Sequence, residues 1–439
     1  MAERWAIVGG GMLGLTSALL LSDAGHDVTV FEAQPSFGGL AAAWSIGDVT
    51  WDRHYHVTLA SDTAVLGLLD RLDLGDEMRW VETKTGSYAD GALHSISNSV
   101  EFLRYPALRM TDKARLAATI LYGARVRDWR RLEQVSAEDW LRRWSGDRTF
   151  DRFWLPLLRA KLSENYDRAS AAFIWATIQR LYAARNSGMK REQFGYVSGG
   201  YARILERFAA VLSERGVDLR AATPVTSVAR ATTPAVTLAD GDTETFDRII
   251  VAGASPAAAR LITDLPVADR ERLASVPYQG IVCASVLLRS PLSPYYLTYI
   301  TDPAPFTAVV EMSAFVDPDQ LGGHGLVYLP KYVDPADPIF DRSDDSIRSE
   351  FLAGLRHIHP SVTDDEILAF EVSRVRRVFP IPTIGYSEHV PPFDSGVPGI
   401  FVLSSAQIVN GTLNVNETVQ LAHRGITAIT AAARTGVKP

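Results

Sequence analysis

The chain opens on a short apolar run, Trp5-Ala6-Ile7-Val8, which stops at the glycine cluster Gly9-Gly10-Gly11-Met12-Leu13-Gly14. Positions 15–23 then carry apolar residues at helical spacing, with Gly25 as a C-terminal stop. Positions 26–31 read as a second strand that ends at Glu32. The pattern predicts strand, glycine turn, helix, strand and acid in that order. A similar rhythm returns later. A glycine-rich stretch at 195–201 precedes an amphipathic run at 205–212, which ends at Gly216. Short strands are predicted at 217–220, 224–228, 236–238 and 246–252, with a turn at Asp240-Gly241. A last strand lies within 399–407, and a turn at 410–414 leads into a helix from about Glu417.

Two long insertions interrupt this rhythm. The first, 86–194, is largely helical by pattern, over 112–129, 136–144, 150–162 and 170–185. The second, 276–389, has strand-like runs at 281–288, 295–301, 308–312 and 326–332, then a helix near 346–358.

The first ninety residues carry chemistry as well as pattern. Gly9, Gly11 and Gly14 match GxGxxG between a strand and a helix. Gly9 permits the tight turn, Gly11 lets the backbone approach a pyrophosphate, and Gly14 lets helix and strand pack closely. The helix start offers unpaired N–H groups and a partial positive charge to phosphates. Glu32 stands eighteen residues after Gly14, where a carboxylate accepts hydrogen bonds from ribose hydroxyls.

The next segment, Glu32-Ala33-Gln34-Pro35-Ser36-Phe37-Gly38-Gly39-Leu40-Ala41, puts a glycine pair six residues after the acid. It resembles the second dinucleotide motif of the flavin amine oxidase, protoporphyrinogen oxidase and phytoene desaturase superfamily. The similarity is greatest to bacterial protoporphyrinogen-oxidase-like FAD-dependent oxidoreductases. Relatives often carry arginine after the glycine pair; this chain has Leu40. The resemblance implies an α/β fold. A Rossmann-type FAD-binding domain (1–85, 195–275 and 390–439) would be interleaved with a substrate domain of mixed sheet plus helical cap (86–194 and 276–389). It implies non-covalent FAD held by Gly9, Gly11, Met12, Leu13, Gly14, Glu32, Ala33, Gly38, Gly39 and Leu40. Val225 would meet the adenine through its backbone. Relatives place an acid after the last strand; here Ser405-Ala406 stands there, and Gln407 is the nearest polar substitute. Gly411, Thr412 and Leu413 would offer backbone contacts to the flavin.

The resemblance also points to Trp51-Asp52-Arg53-His54-Tyr55-His56 as the stretch passing beside the flavin ring. In an extended segment His54 and His56 share one face. They read either as incidental surface histidines or as catalytic contacts. Amine oxidases of this fold often carry a lysine on the strand matching 279–288. That run has none, and Cys283 or Ala284 falls nearest. Lys331 and Lys161 are the lysines of the substrate half to consider, and Lys331 joins the histidines as a catalytic candidate.

The expected function is therefore a FAD-dependent oxidase or desaturase acting on a small, hydrophobic or cyclic substrate. The alternatives are an amine oxidase, a nucleotide-sugar isomerase resembling UDP-galactopyranose mutase, and a non-catalytic flavin-binding partner. For the isomerase, Arg152, Arg159, Arg180 and Arg185 would meet a pyrophosphate. No second GxGxxG with strand and acid is present, so dioxygen or a quinone-type carrier is the expected electron acceptor.

Composition narrows this further. With 439 residues and 47% apolar content the chain can bury more than one core. A formal net charge of −7 sets nucleic-acid binding aside. The single cysteine, Cys283, excludes an intramolecular disulfide, and nine scattered histidines make no metal spacing. The apolar run at 12–21 is too short to span a bilayer, and no secretory leader is readable, so a cytoplasmic protein is expected. The run 113–131 combines Arg115, Arg125, Arg127, Arg130 and Arg131 with Ile120, Leu121, Tyr122 and Trp129. It reads as a solvated basic face or as a peripheral contact with an anionic membrane.

Overall fold

The computed structural model describes residues 2–186, 193–409 and 412–435. Two sheets organise them. The first is a five-stranded parallel sheet in the order Ile400–Leu403, Arg248–Ala252, Arg4–Val8, Asp27–Phe31, Asp218–Arg220. Its central strand is buried from Trp5 to Val8 because both faces are covered. Trp5 and Ile7 point into a core with helices Met12–Asp23, Gly200–Glu214 and Val415–Thr435. Ala6 and Val8 point the other way, onto Val228, Val236 and Phe246 of a layer built on a small antiparallel sheet. Burial on two sides is why this strand is apolar throughout rather than alternating.

The second sheet has seven strands in the order Ile367–Pro380, Tyr278–Leu288, Gly325–Val333, Ala308–Glu311, Leu297–Ile300, Thr85–Ala89, Ala92–Ser95. Its pairs are antiparallel apart from Leu297–Ile300 with Thr85–Ala89. Val282, Ala284, Val286, Val327, Leu329 and Val333 form the outer face, covered by helix Asp344–Ile358 through Ile347, Phe351 and Leu355. Ile281, Cys283, Leu287, Tyr328 and Tyr332 form the inner face, toward the helical insertion and Trp51.

This alternation corrects one sequence expectation. Lys331 lies between Pro330 and Tyr332 on strand Gly325–Val333 and shares its parity with Leu329 and Val333. It therefore projects to the outer face, away from Tyr328 and Tyr332. The long strand Ile367–Pro380 was not foreseen. It is an edge strand whose outward Arg374 and Arg376 pair with Asp344 and Asp341 at 2.6 Å each. Those charges mask its alternation.

The helical insertion comprises Met110–Arg125, Ala137–Ser145, Leu155–Leu162 and Ala171–Asn186, with shorter pieces between. The helix expected over 112–129 ends at Arg125, because Gln179 Nε2 donates to the carbonyls of Gly123, Ala124 and Val126. Lys113, read as part of a basic face, is buried and donates to the Leu103 carbonyl at 2.7 Å. The outward side of the same helix does expose Met110, Leu121, Tyr122 and Arg125. Among the described residues no helix is long and apolar enough to cross a membrane, and no cluster of His, Cys, Asp and Glu could hold a metal ion.

Candidate functional site

Local geometry at the first turn follows from what a side chain would strike. Gly9 has φ +115°, and a Cβ there would sit 2.1 Å from the Ala252 carbonyl oxygen. A Cβ on Gly14 would sit 1.9 Å from the Gly9 carbonyl oxygen. Gly11 differs: its nearest neighbours are Gly39 Cα at 3.8 Å and Gly38 O at 3.9 Å, so two bare backbones face each other. Gly38 N donates to Gly10 O at 2.8 Å and locks the second glycine motif onto the first. No side chain caps the start of helix Met12–Asp23, and its first turn holds no acid. The segment Gly11–Met12–Leu13 is thus an uncapped helix start beside side-chain-free backbone, which fits a pyrophosphate.

Glu32 sits at the end of strand Asp27–Phe31. Its carboxylate accepts from Gly10 N at 2.7 Å and Gln34 N at 2.8 Å. Those bonds aim it at the glycine turn and leave lone pairs for ribose hydroxyls. Ala33, beside it, is exposed. Thr223 N donates to the Glu32 carbonyl at 2.8 Å, so the start of strand Val225–Arg230 arrives at this corner, and Val225 with it. The residues present therefore fit an adenine dinucleotide.

The C-terminal segment corrects a second expectation. Gln407 has no free amide group. Its Oε1 accepts from Ser404 N at 2.8 Å, and its Nε2 reaches the carbonyls of Val402, Pro391 and Pro392 at 3.0, 3.2 and 3.3 Å. It ties the turn after strand Ile400–Leu403, so both ends of its amide are engaged within the protein. Gly411 lies outside the described residues. Thr412 and Leu413 are half-buried, and Leu413 packs against the inner-face core. Asn414 caps the following helix by accepting from Glu417 N at 3.0 Å.

The stretch 53–57 is irregular rather than extended, so its two histidines go separate ways. His54 is buried, with Nδ1 3.2 Å from the Leu40 carbonyl and Nε2 3.1 Å from the Ser373 hydroxyl. Burial, reinforced by the charges of His56 and Arg53, pushes its pKa down to about 4. His56 lies against Tyr201 at 4.8 Å between ring centroids, with Nδ1 3.5 Å from Asp52 Oδ2. It lines a small crevice with Trp51, Tyr196 and Met312. The expected shared face is absent because the strand it required is absent.

Tyr55, between them, turns into the space under the second sheet, a role sequence reading missed. Its hydroxyl lies 3.0 Å from that of Tyr332, and Lys161 Nζ is 2.7 Å from the same Tyr332 oxygen. Lys161 also sits 4.2 Å over the Tyr332 ring and 5.0 Å over that of Phe379. Tyr55 and Lys161 are half-buried in this cluster. Burial drives the Tyr55 phenol well above its ordinary pKa and lowers that of the Lys161 ammonium. His54, next to Tyr55 in the chain, reaches the second glycine motif through the Leu40 carbonyl.

The arginines considered for pyrophosphate binding are otherwise engaged. Arg152 pairs with Asp90 at 3.4 Å, Arg159 with Glu164 at 3.6 Å and Arg180 with Asp62 at 2.9 Å. The Arg185 side chain lies outside the described residues.

Comparison with known proteins agrees with this geometry. A sequence model of the family described as flavin containing amine oxidoreductase matches residues 13–414. Among curated relatives, a 15-cis-phytoene desaturase of Synechococcus elongatus is 26% identical over 42% of this chain and 43% of its own length. A carotenoid phi-ring synthase of Streptomyces griseus is 28% identical over 60% of this chain and 55% of its own. The match thus spans only about half the length of these relatives or less. Among solved structures, a protoporphyrinogen-oxidase-like protein from Exiguobacterium superposes with TM-score 0.77 at 21% identity, covering 98% of this chain and 99% of the other. A reduced UDP-galactopyranose mutase gives 0.75 at 15% over 98% and 96%. A putrescine oxidase bound to putrescine gives 0.72 at 18% over 98% and 99%. Likeness at such identities establishes the fold alone.

Proposed function

Because the chain belongs to the flavin-containing amine oxidoreductase family, we propose that it is a FAD-dependent oxidase or desaturase of a small, largely hydrophobic substrate held at the Tyr55–Tyr332 cluster. The observation that carries this reading is the cluster of Tyr55, Tyr332 and Lys161 on the inner face of the seven-stranded sheet. Two phenols lie among aromatic side chains, the neighbouring His54 reaches Leu40 of the glycine motif, and no carboxylate is bonded to Tyr55, Tyr332 or Lys161 among the described residues. FAD, when bound, would supply the hydride acceptor for a substrate C–H bond, with the accompanying proton lost to a base or to solvent.

The chain's own residues bind and position. The uncapped helix start and Glu32 would hold the dinucleotide without a covalent bond. The buried wall of Tyr328, Tyr332 and Phe379 excludes water and fits an apolar substrate body. Tyr55 and Tyr332 stay protonated at neutral pH, because burial raises both. Neither is then a base, which suits a substrate whose C–H bond breaks as hydride. Electrons pass on to dioxygen or a quinone-type carrier in this reading. The outward apolar and cationic side of helix Met110–Arg125 supports peripheral docking at a bilayer that supplies a lipophilic substrate.

An anaerobic absorbance titration of the purified yellow protein tests the proposal. The panel holds amines, a porphyrinogen, polyprenoid precursors and nucleotide sugars. Bleaching of the flavin by one class is expected and names the substrate family. Turnover of a nucleotide sugar only after chemical reduction would replace the oxidase reading with the isomerase one.

A further inference from the structure

The inner face of the large sheet also carries a buried amide. Gln279 is fully buried at the start of strand Tyr278–Leu288, on the face that carries Ile281 and Cys283. Its Oε1 accepts from Asn165 Nδ2 at 3.2 Å, while its Nε2 has no hydrogen-bond partner. Asn165 and Lys161 stand four residues apart where helix Leu155–Leu162 runs into the turn Ser163–Arg168. One therefore touches Gln279 while the other touches Tyr332. Phe379 links the two sides: it is the register partner of Gln279, and Lys161 lies over its ring.

Donors and acceptors here do not balance. An ammonium has three N–H donors and a primary amide two. Lys161 spends one on Tyr332, and Gln279 Nε2 spends none. Among the described residues no carboxylate pairs with Lys161. A buried donor without a partner is costly, and so is a half-buried cation without a counter-charge. A hydrocarbon packed against this cluster would leave both unsatisfied. An oxyanion with two acceptor atoms would satisfy the amide and neutralise the ammonium together.

We propose that Lys161 and Gln279 receive a carboxylate of the substrate, so that the molecule oxidised is a hydrophobic acid. The assignment rests on the functional reading above and deepens it. The aromatic wall takes the apolar body, and the donor pair fixes the acid end and thereby which carbon faces the flavin.

The test is equilibrium binding to the flavin-loaded protein, followed by the flavin difference spectrum and by calorimetry. The probes are benzoate and cyclohexanecarboxylate against benzyl alcohol and cyclohexylmethanol. Each acid is expected to bind about tenfold or more tighter than its alcohol. Lys161→Met should erase that gap while leaving alcohol binding within about threefold, and Lys161→Arg should keep part of it. Gln279→Leu, which keeps the lysine, should narrow the gap and serves where Lys161→Met loses its flavin. Equal binding of acid and alcohol to the native protein overturns the assignment, as does an undiminished preference in both Lys161→Met and Gln279→Leu. A yellow protein without the preference sinks this assignment alone. A preparation that binds no flavin sinks the functional reading and this inference with it.

Discussion

His54 Nε2 and the Ser373 hydroxyl lie 3.1 Å apart although 319 positions separate them in the chain. The other ring nitrogen faces the Leu40 carbonyl, which only accepts, so Nδ1 carries the proton and Nε2 accepts from Ser373. A neutral imidazole thus ties the second glycine motif to the inner face of the seven-stranded sheet.

That neutrality makes a pH prediction. The pKa of His54 falls from the ordinary 6.5 to about 4 in the folded protein. The unfolded chain therefore takes up a proton below pH 6.5 that the folded chain refuses until about pH 4. The stability associated with the neutral ring is intact above pH 6.5 and is lost as pH falls through that window. The linkage amounts to about 3 kcal/mol. Urea denaturation between pH 7 and pH 4 should show a shallower acid slope in His54→Gln by about this amount. An unchanged slope would refute the neutral, buried ring.

Gly14→Ala should abolish flavin retention. The added methyl would lie 1.9 Å from the Gly9 carbonyl oxygen, and backbone on both sides leaves little room to yield. A loss of about 3 kcal/mol or more is expected, read as a fall in melting temperature together with colourless protein. Retention of native flavin content would show that helix and strand have slack.

Glu32→Ala should weaken flavin binding about ten- to hundredfold, from the loss of about 1.5–3 kcal/mol of charge-assisted hydrogen bonding. Flavin fluorescence on titrating the stripped protein measures it. Binding within twofold of native would mean that the carboxylate serves only Gly10 N and Gln34 N.

Lys331→Met and Gln407→Leu separate the corrected assignments from the sequence-based ones. Lys331 projects from the outer face, so its loss should leave the rate of flavin reduction unchanged within about twofold, the spread expected of a surface change. Gln407→Leu strands Ser404 N and several carbonyls, so it should cost about 2–4 kcal/mol of stability. Its flavin affinity, extrapolated to conditions where the variant is folded, should stay near native. A large drop in affinity at full stability would restore Gln407 as a ligand.

The nucleotide half was legible because its constraints are local. Gly9, Gly14 and Gly38 each stand where a Cβ collides within 2.5 Å, and Glu32 follows its strand directly, so residue type and spacing carry the signal. The Tyr55–Tyr332 cluster was not legible in the same way. Tyr55, Lys161 and Tyr332 come from three distant segments, and only packing brings their polar ends within 3.0 Å. Lys331 and Tyr332 show the limit most clearly. Nearly every residue of strand Gly325–Val333 is buried on one face or the other, so no polar alternation marks which parity looks inward. That choice is made by helix Asp344–Ile358, which covers the opposite face. The segment 53–57 failed for the complementary reason: two histidines at strand spacing mean nothing where the backbone is not extended.

The strand order of the parallel sheet has a consequence for biosynthesis. Arg4–Val8 is central, and Asp27–Phe31 can pair with one of its edges as soon as it is made. The other edge must await Arg248–Ala252, and that strand in turn awaits Ile400–Leu403. At a ribosomal pace of about 5–20 residues per second, the half-formed sheet stands with a bare apolar edge for on the order of ten seconds or more. Nascent chains stalled before residue 248 are therefore expected to need chaperone cover, and FAD added to them should find only half a cradle.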